Sequence, residues 1–408
     1  MQDKRTLAIQ NNVDAARKAG IVQLTLEDEW LDGRFIQINH QRCINFASCS
    51  YLGLEHDPRL IEGVIMAARR YGSQFSASRA FLSVTLYRDV EKRMSQICNR
   101  PVIVGPSTTM VHQAAIPVLV ENGDAVIIDQ KAHASVSTAC RALALRGVSI
   151  ELTAHNNMQR LERRIQRLQQ KHNKIWYFLD GLYSMAGEFA PLEDLAQLLD
   201  QYEQLHLYAD DAHSTGWQGV CGQGMVLQRL GHHARVVVAL SMNKSFACAG
   251  GLLAVSDETM QQRIRDLGET LIFSGPIQPP MLGAICASAD IHLSSELVYL
   301  QSKLRQKIHR FNSLCAHNGL TLVDDSISPI RFIEIGPGDK TAWLVSELLQ
   351  RGYYVSPAGF PSVAKNRAGI RITMTNHLAD EDLEGLTNVM AQLLETYSMT
   401  VQSDEVVA

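Results

Sequence analysis

The chain has 408 residues, a length that points to two or three packed units instead of one. Hydrophobic residues make up 46% of it and charged residues 20%, which predicts a sizeable core and excludes intrinsic disorder. Lys plus Arg total 38 against 42 for Asp plus Glu, a net charge of -4, so there is no basic field to hold nucleic acid or an anionic membrane.

At the N-terminus, Met1-Gln2-Asp3-Lys4-Arg5 leads into a polar amphipathic stretch instead of an apolar signal region. No run approaches the ~18 apolar residues of a membrane span. The eight cysteines, Cys43, Cys49, Cys98, Cys140, Cys221, Cys248, Cys286 and Cys315, stand singly without a C-x-x-C pair. A soluble protein in the reducing cytoplasm is expected.

The chain reads as an N-terminal arm over 1–55, a large domain over 56–290, a small domain over 291–400 and a loose tail over 401–408. The first helix after the arm starts with Asp57 as cap and Pro58 at the first helical position. Ile61, Val64, Ile65 and Ala68 recur along it and Gly72 closes it. Strand candidates follow at 102–104, 125–128, 148–152, 175–179, 205–209, 236–240 and 251–255. Helical segments separate most of them, among them 109–120, 135–145, 157–169 and 192–204. This alternation predicts an α/β domain with a mostly parallel seven-stranded sheet. The run Val236-Val237-Val238-Ala239-Leu240 is apolar on both faces, as a strand covered on each side by helices must be. From about residue 290 a long helix, a strand near 330–335, a helix near 341–351, a strand at 369–374 and a last helix near 379–396 predict a small C-terminal α+β domain.

Ligands of open α/β sheets gather beyond the carboxyl ends of the strands, so the polar residues there carry the functional argument. The 205–209 strand runs into Asp210-Asp211-Ala212-His213-Ser214-Thr215-Gly216, and 236–240 runs into Ser241-Met242-Asn243-Lys244. Strand 175–179 ends in Asp180-Gly181-Leu182-Tyr183-Ser184, and the segment after 125–128 supplies His133. A lone lysine after a strand is usually a solvated charge and a lone Asp usually a turn former. Together, in order and at strand ends, a lysine, a carboxylate, two histidines and several hydroxyls fit pyridoxal 5′-phosphate (PLP) better than any metal site. Ser241-x-x-Lys244 could instead be a nucleophilic serine with its lysine base, but the companion motifs of penicillin-binding proteins are absent.

The same residues resemble the α-oxoamine synthase family of PLP enzymes, of the aspartate-aminotransferase fold class. The matching stretches are Asn45-Phe46, Tyr51-Leu52-Gly53-Leu54, Asp180 to Gly187, Ala190-Pro191-Leu192, Asp210 to Gly216, Ser241-x-x-Lys244, Phe273-Ser274, Pro279-Pro280 and Ile370-Arg371-Ile372-Thr373. The resemblance implies that Lys244 forms a Schiff base with PLP and shuttles the substrate Cα proton. It implies that Asp210 pairs with the pyridine nitrogen, that His213 and Ser184 bond the phenolic oxygen, and that His133 stacks on the ring. Ser241 and the backbone around Ser107, Thr108 and Thr109, at a helix start, are to hold the phosphate. Ser274 is to reach the phosphate of a neighbouring subunit, which implies a homodimer with its active sites at the subunit interface. Arg371 is to clamp the amino-acid carboxylate, with Asn45 and Ser78 also at the substrate.

The implied reaction is a decarboxylating Claisen condensation of an α-amino acid with an acyl thioester, on CoA or a carrier protein, to give an α-aminoketone. A PLP-dependent aminotransferase or aldolase-type lyase would share the cofactor residues, and a non-catalytic PLP-binding subunit is a third reading. The chain departs from the usual family pattern at Cys49-Ser50, at Thr108-Thr109 with His112, and across Ala77 to Glu91. These positions are expected around the substrate. Ser76-Ala77-Ser78 and Lys244-Ser245-Phe246-Ala247 look closer to synthases of α-aminoketone autoinducers, so an autoinducer-like or secondary metabolite is the expected product.

Overall fold

A computed structural model describes residues 4–364 and 366–407, so Met1–Asp3 and the last tail residue, Ala408, lie outside the described residues. The chain forms two compact units, one of residues 54–184 and 189–301 and the other of residues 1–53, 185–188 and 302–408.

In chain order the strands are β1 (Phe35–Ile38), β2 (Gln41–Asn45), β3 (Val102–Gly105), β4 (Ala125–Asp129), β5 (Ser149–Thr153), β6 (Ile175–Asp180) and β7 (Leu205–Asp210). After them come β8 (Val236–Ser241), β9 (Gly251–Ala254), β10 (Ile330–Gly336), β11 (Tyr353–Tyr354), β12 (Ser356–Ala358) and β13 (Ala368–Thr373).

The first unit is built on a seven-stranded sheet in the order β3-β9-β8-β7-β6-β4-β5. Only β9 runs antiparallel to its neighbours, so the sheet is mostly parallel, as the sequence predicts. Side chains alternate along each strand, and both faces are covered. Ile175, Tyr177 and Leu179 of β6 join one core with Val90, Leu161, Leu195 and Leu282. Trp176 and Phe178 of the same strand join the opposite core with Val111, Ala115, Val136 and Leu143. At the start of this unit, Asp57 accepts the Arg59 amide at 2.9 Å to cap the helix Pro58–Tyr71, and Gly72 ends it at φ +80°.

The second unit holds two small sheets, β1-β2-β11 and β10-β13-β12. Its helices include Lys4–Lys18, Gly338–Gln350 and Asp380–Val407, the last of which the sequence reading ends near residue 396. The N-terminal arm therefore carries a helix and the β1–β2 hairpin. Arg34 ties this arm to the last helix by a bidentate pair with Asp382, at 2.8 and 2.7 Å.

Candidate active site

The carboxyl ends of β4, β6, β7 and β8 lie side by side in the sheet order, so Asp129, Asp180, Asp210 and Ser241 mark one edge. Beyond β8 the chain turns back tightly. Met242 N–H donates to Gly250 O at 3.0 Å, Cys248 N–H to Met242 O at 2.9 Å and Gly250 N–H to the Asn243 side chain at 2.6 Å. Lys244 sits within this pinned loop, where its own carbonyl accepts the Ala247 amide at 2.9 Å. Beyond β7, Gly216 takes φ +89°, and a Cβ there would come 2.5 Å from Ser245 Cβ. That glycine lets the His213 loop lie against the Lys244 loop. Trp217 Nε1 donates to the His213 carbonyl at 2.7 Å and anchors the loop from below.

The helix Thr108–Leu119 starts at the same edge, capped by Ser107, whose side chain accepts the Met110 amide at 3.2 Å. The sequence reading begins this helix one residue later. Helix geometry leaves the first amides without intrahelical acceptors, and here they belong to Thr108 and Thr109. Thr108 Oγ1 donates to the Leu240 carbonyl at 3.2 Å, fastening the helix start to β8. Gly251 pairs with Ser241 across the sheet, and a Cβ on it would lie 2.6 Å from Ser107 O and closer still to Thr108 N. The absence of that Cβ brings Ser241, buried at 2% exposure, and the helix start together. Backbone amides, a hydroxyl and a helix N-terminus in one cradle suit a phosphate dianion.

Asp210 is the buried charge of the site. Burial acts to raise its pKa, but the His112 imidazole bonded to it, with Lys244 and His133 near, holds the carboxyl well below its ordinary value. Its partner across the register is Asp180, whose carboxyl burial and the Asp210 charge push well above the usual range. Two adjacent buried carboxyls are thus pushed in opposite directions, Asp210 toward the charged form and Asp180 toward the neutral one. Asp180 Oδ1 accepts the His133 amide at 3.0 Å. His133 caps the helix Ala134–Leu145 and shares a 2.6 Å hydrogen bond between Nδ1 and Ser135 Oγ. Burial lowers its pKa, which favours the neutral ring that stacking on an aromatic cofactor calls for. The donor set therefore fits PLP: a lysine, an ionised carboxylate for the pyridine nitrogen, a flat neutral ring and a phosphate cradle.

Other expected residues are placed as follows. Ser184 closes the segment after β6 in the same unit, half-buried. Ser274 Oγ donates to the Thr270 carbonyl of its own chain. Ser78 Oγ donates to Ile272 O at 2.6 Å, bracing the 76–82 loop. In the other unit, Asn45 closes β2 and its side chain accepts the Ala47 amide at 3.0 Å. Arg371, on β13 of that unit, donates from Nη2 to Cys49 Sγ at 3.6 Å and lies beside the buried Tyr51.

One expectation is corrected. His112 belongs with the residues predicted around the substrate, yet it is fully buried and bonded to Asp210 at 2.9 Å and to Tyr208 at 2.7 Å. The sequence marks its burial but not its partner: a histidine one turn into the helix that seats the phosphate, followed by the apolar Ala114, Ala115 and Ile116. Asp211 is a second buried carboxyl of the β7 edge. Burial pushes it up to about 7, against hydrogen bonds from Ser214 and the Val226 amide.

Residues 41–389 match the pattern that defines the aminotransferase class I and II family. The 8-amino-7-oxononanoate synthase of Thermoanaerobacter pseudethanolicus is 27% identical over 380 residues, covering 92% of this chain and 94% of the relative. The 8-amino-7-oxononanoate synthase 1 of Bacillus subtilis is 29% identical over 365 residues, covering 89% and 91%. Among solved structures, a serine palmitoyltransferase of S. paucimobilis carrying a PLP–myriocin aldimine superposes with a TM-score of 0.88 at 20% identity. It matches 98% of this chain and 100% of that one. The chain belongs to the aminotransferase class I and II family, whose cofactor is PLP, and the curated relatives it resembles are α-oxoamine synthases.

Proposed function

We propose that this enzyme condenses an α-amino acid with an acyl thioester, with loss of carbon dioxide, to make an α-aminoketone of autoinducer-like or secondary metabolism. The observation that carries the reading is the ionised Asp210 on the same sheet edge as Lys244, His133, His213 and the phosphate cradle. When bound, PLP supplies an aldehyde for imine chemistry and a ring that accepts the electron pair of the amino-acid Cα.

The residues then divide the work. Asp210 holds the ring nitrogen protonated by ion pairing, which is the condition for drawing electrons from Cα. His133 would stack on the ring, and His213 and Ser184 would donate to the phenolic oxygen. Ser241, Thr108 and Thr109 take the phosphate, with Ser107 holding the helix start in place. Lys244 Nζ anchors the cofactor before substrate arrives, then takes the Cα proton and returns it at the end of the cycle. Arg371 orients the amino-acid carboxylate through its planar fork, with Asn45 and Ser78 as further substrate contacts. Ser274 completes the phosphate site of a second copy of the chain, so the active form is a homodimer. A new bond forms between Cα and the thioester carbonyl carbon as its C–S bond breaks and the thiolate leaves; the bond from Cα to the carboxylate then breaks, carbon dioxide departs, and the proton returned by Lys244 takes its place on Cα.

Two features support the autoinducer-like branch. Ser76-Ala77-Ser78 and Lys244-Ser245-Phe246-Ala247 resemble those synthases, and Cys49 stands beside Arg371 where many members of the family carry Asn. All eight cysteines are free thiols, consistent with a cytoplasmic setting. Among the described residues no helix is long and apolar enough to cross a membrane. A panel of amino acids with acyl-CoA donors of graded length tests the reading. Thiol titration is expected to show CoA release for one pairing, with a product whose mass equals both substrates less CoA and carbon dioxide. Absence of CoA release across the panel, or amino-group transfer alone, contradicts it.

A further inference from the structure

Behind Asp210 lies a second layer of polar residues that the reaction does not touch. Tyr208 and Asp210 are two residues apart on β7 and so project to the same face of the sheet. That face is packed by the helix Thr108–Leu119, whose Val111 and Ala115 share a core cluster with Tyr208. His112, on this helix, reaches both. Its Nε2 lies 2.9 Å from Asp210 Oδ2 and its Nδ1 lies 2.7 Å from Tyr208 Oη. Neither His112 nor Tyr208 is exposed to solvent.

The chemistry of the carboxylate fixes one end of the proton arrangement. An ionised carboxylate only accepts, so Nε2 carries the ring proton and donates it to Asp210. The other ring nitrogen, Nδ1, shares its 2.7 Å hydrogen bond with the Tyr208 hydroxyl. Burial raises the Tyr208 pKa well above its ordinary value, so the phenol keeps the proton the arrangement needs. Asp210 Oδ1 is left with the Ala212 amide at 3.1 Å and room for one more donor. The other titratable groups that act on Asp210 are Lys244, His133 and Asp180.

We propose that His112 and Tyr208 are positioning residues that set the acidity of the bound cofactor, by holding Asp210 ionised and turned toward the pyridine nitrogen. The inference rests on the assignment of Asp210 to that nitrogen. The pyridine nitrogen and Asp210 share one proton, and a donor on the carboxylate biases that proton toward nitrogen. In a dry, low-dielectric site the bias from one charge-assisted hydrogen bond is large. The helix that starts at the phosphate cradle thus also sets, one turn later, the electron demand at the far end of the ring.

The test uses holoenzyme loaded with PLP carrying nitrogen-15 in its ring, at neutral pH. The wild type is expected to show the resonance of a protonated nitrogen. His112→Phe is expected to shift the proton balance from nitrogen toward Asp210 by a factor of about ten to a hundred, the loss of one hydrogen bond to a charged group. Tyr208→Phe, which deletes a single oxygen, moves the resonance the same way by less, and it decides the matter if His112→Phe does not fold. In both variants kcat falls while KM for the amino acid holds, which a loss of packing alone would not produce. Wild-type resonances in both variants overturn the inference, and a shift in His112→Phe alone overturns the part given to Tyr208. Asp210→Asn separates the two levels. If its ring nitrogen stays protonated, the Asp210 assignment itself fails. If it loses the proton while the other variants keep theirs, only the relay fails.

Discussion

Gly251→Ala is the sharpest structural probe of the phosphate cradle. The added Cβ would sit 2.6 Å from Ser107 O, where ordinary contact begins near 3.4 Å, and the opposing atoms are backbone. The helix start must therefore retreat by at least about 0.8 Å, and farther at Thr108 N, because the strand side is held by pairing to Gly105 and Ser241. Overpacking of this size costs about 1–3 kcal/mol of stability. It also moves the Thr108 and Thr109 amides off the phosphate. Loss of one charge-assisted hydrogen bond there weakens PLP binding by about ten to a hundredfold. Pyridoxal, which lacks the phosphate, isolates the cause: titration by cofactor absorbance is expected to show its affinity nearly unchanged. Equal weakening of PLP and pyridoxal, or no weakening of PLP, would refute the cradle.

Three further outcomes follow from the site. Lys244→Ala removes the visible band near ~420 nm that a PLP–lysine Schiff base shows, and a surviving band assigns that role elsewhere. Arg371→Lys replaces a planar fork by a point charge and is expected to raise KM for the amino acid by about tenfold or more without changing PLP affinity; an unchanged KM removes Arg371 from the substrate site. Asp211 has a native pKa raised to about 7 against about 3.9 unfolded, so the native state holds its proton where the unfolded chain has lost it. Stability therefore declines as pH rises from about 4 to about 7 through this group. Asp211→Asn, followed by denaturant melts across that window, flattens this slope, and an unaltered slope contradicts the shift.

Much of the large unit was legible because its strands are short, apolar on both faces and separated by capped helices. The pattern at 236–240, with no polar residue in five, left little choice but a covered central strand. The candidate site was legible for a related reason: Lys244, Asp210, His213 and Ser241 follow directly on strand ends, where sequence adjacency becomes spatial adjacency. The arm was not. β1 and β2 are only four and five residues long, and β11 pairs with β2 from more than 300 residues away, a contact that no local period announces. His112 escaped for the opposite reason. Its meaning depends on a helix laid across β7, and a histidine on an apolar helix face carries no mark of the carboxylate it meets.

The most direct test of the central claim is mass balance with an amino acid labelled with carbon-13 at its carboxyl group, supplied with the acyl-CoA that gives thiol release. The account predicts one labelled carbon dioxide for each CoA thiol freed, and an unlabelled α-aminoketone. Thiol release with the label retained in the product, or a labelled α-keto acid without thiol release, would contradict a decarboxylating condensation.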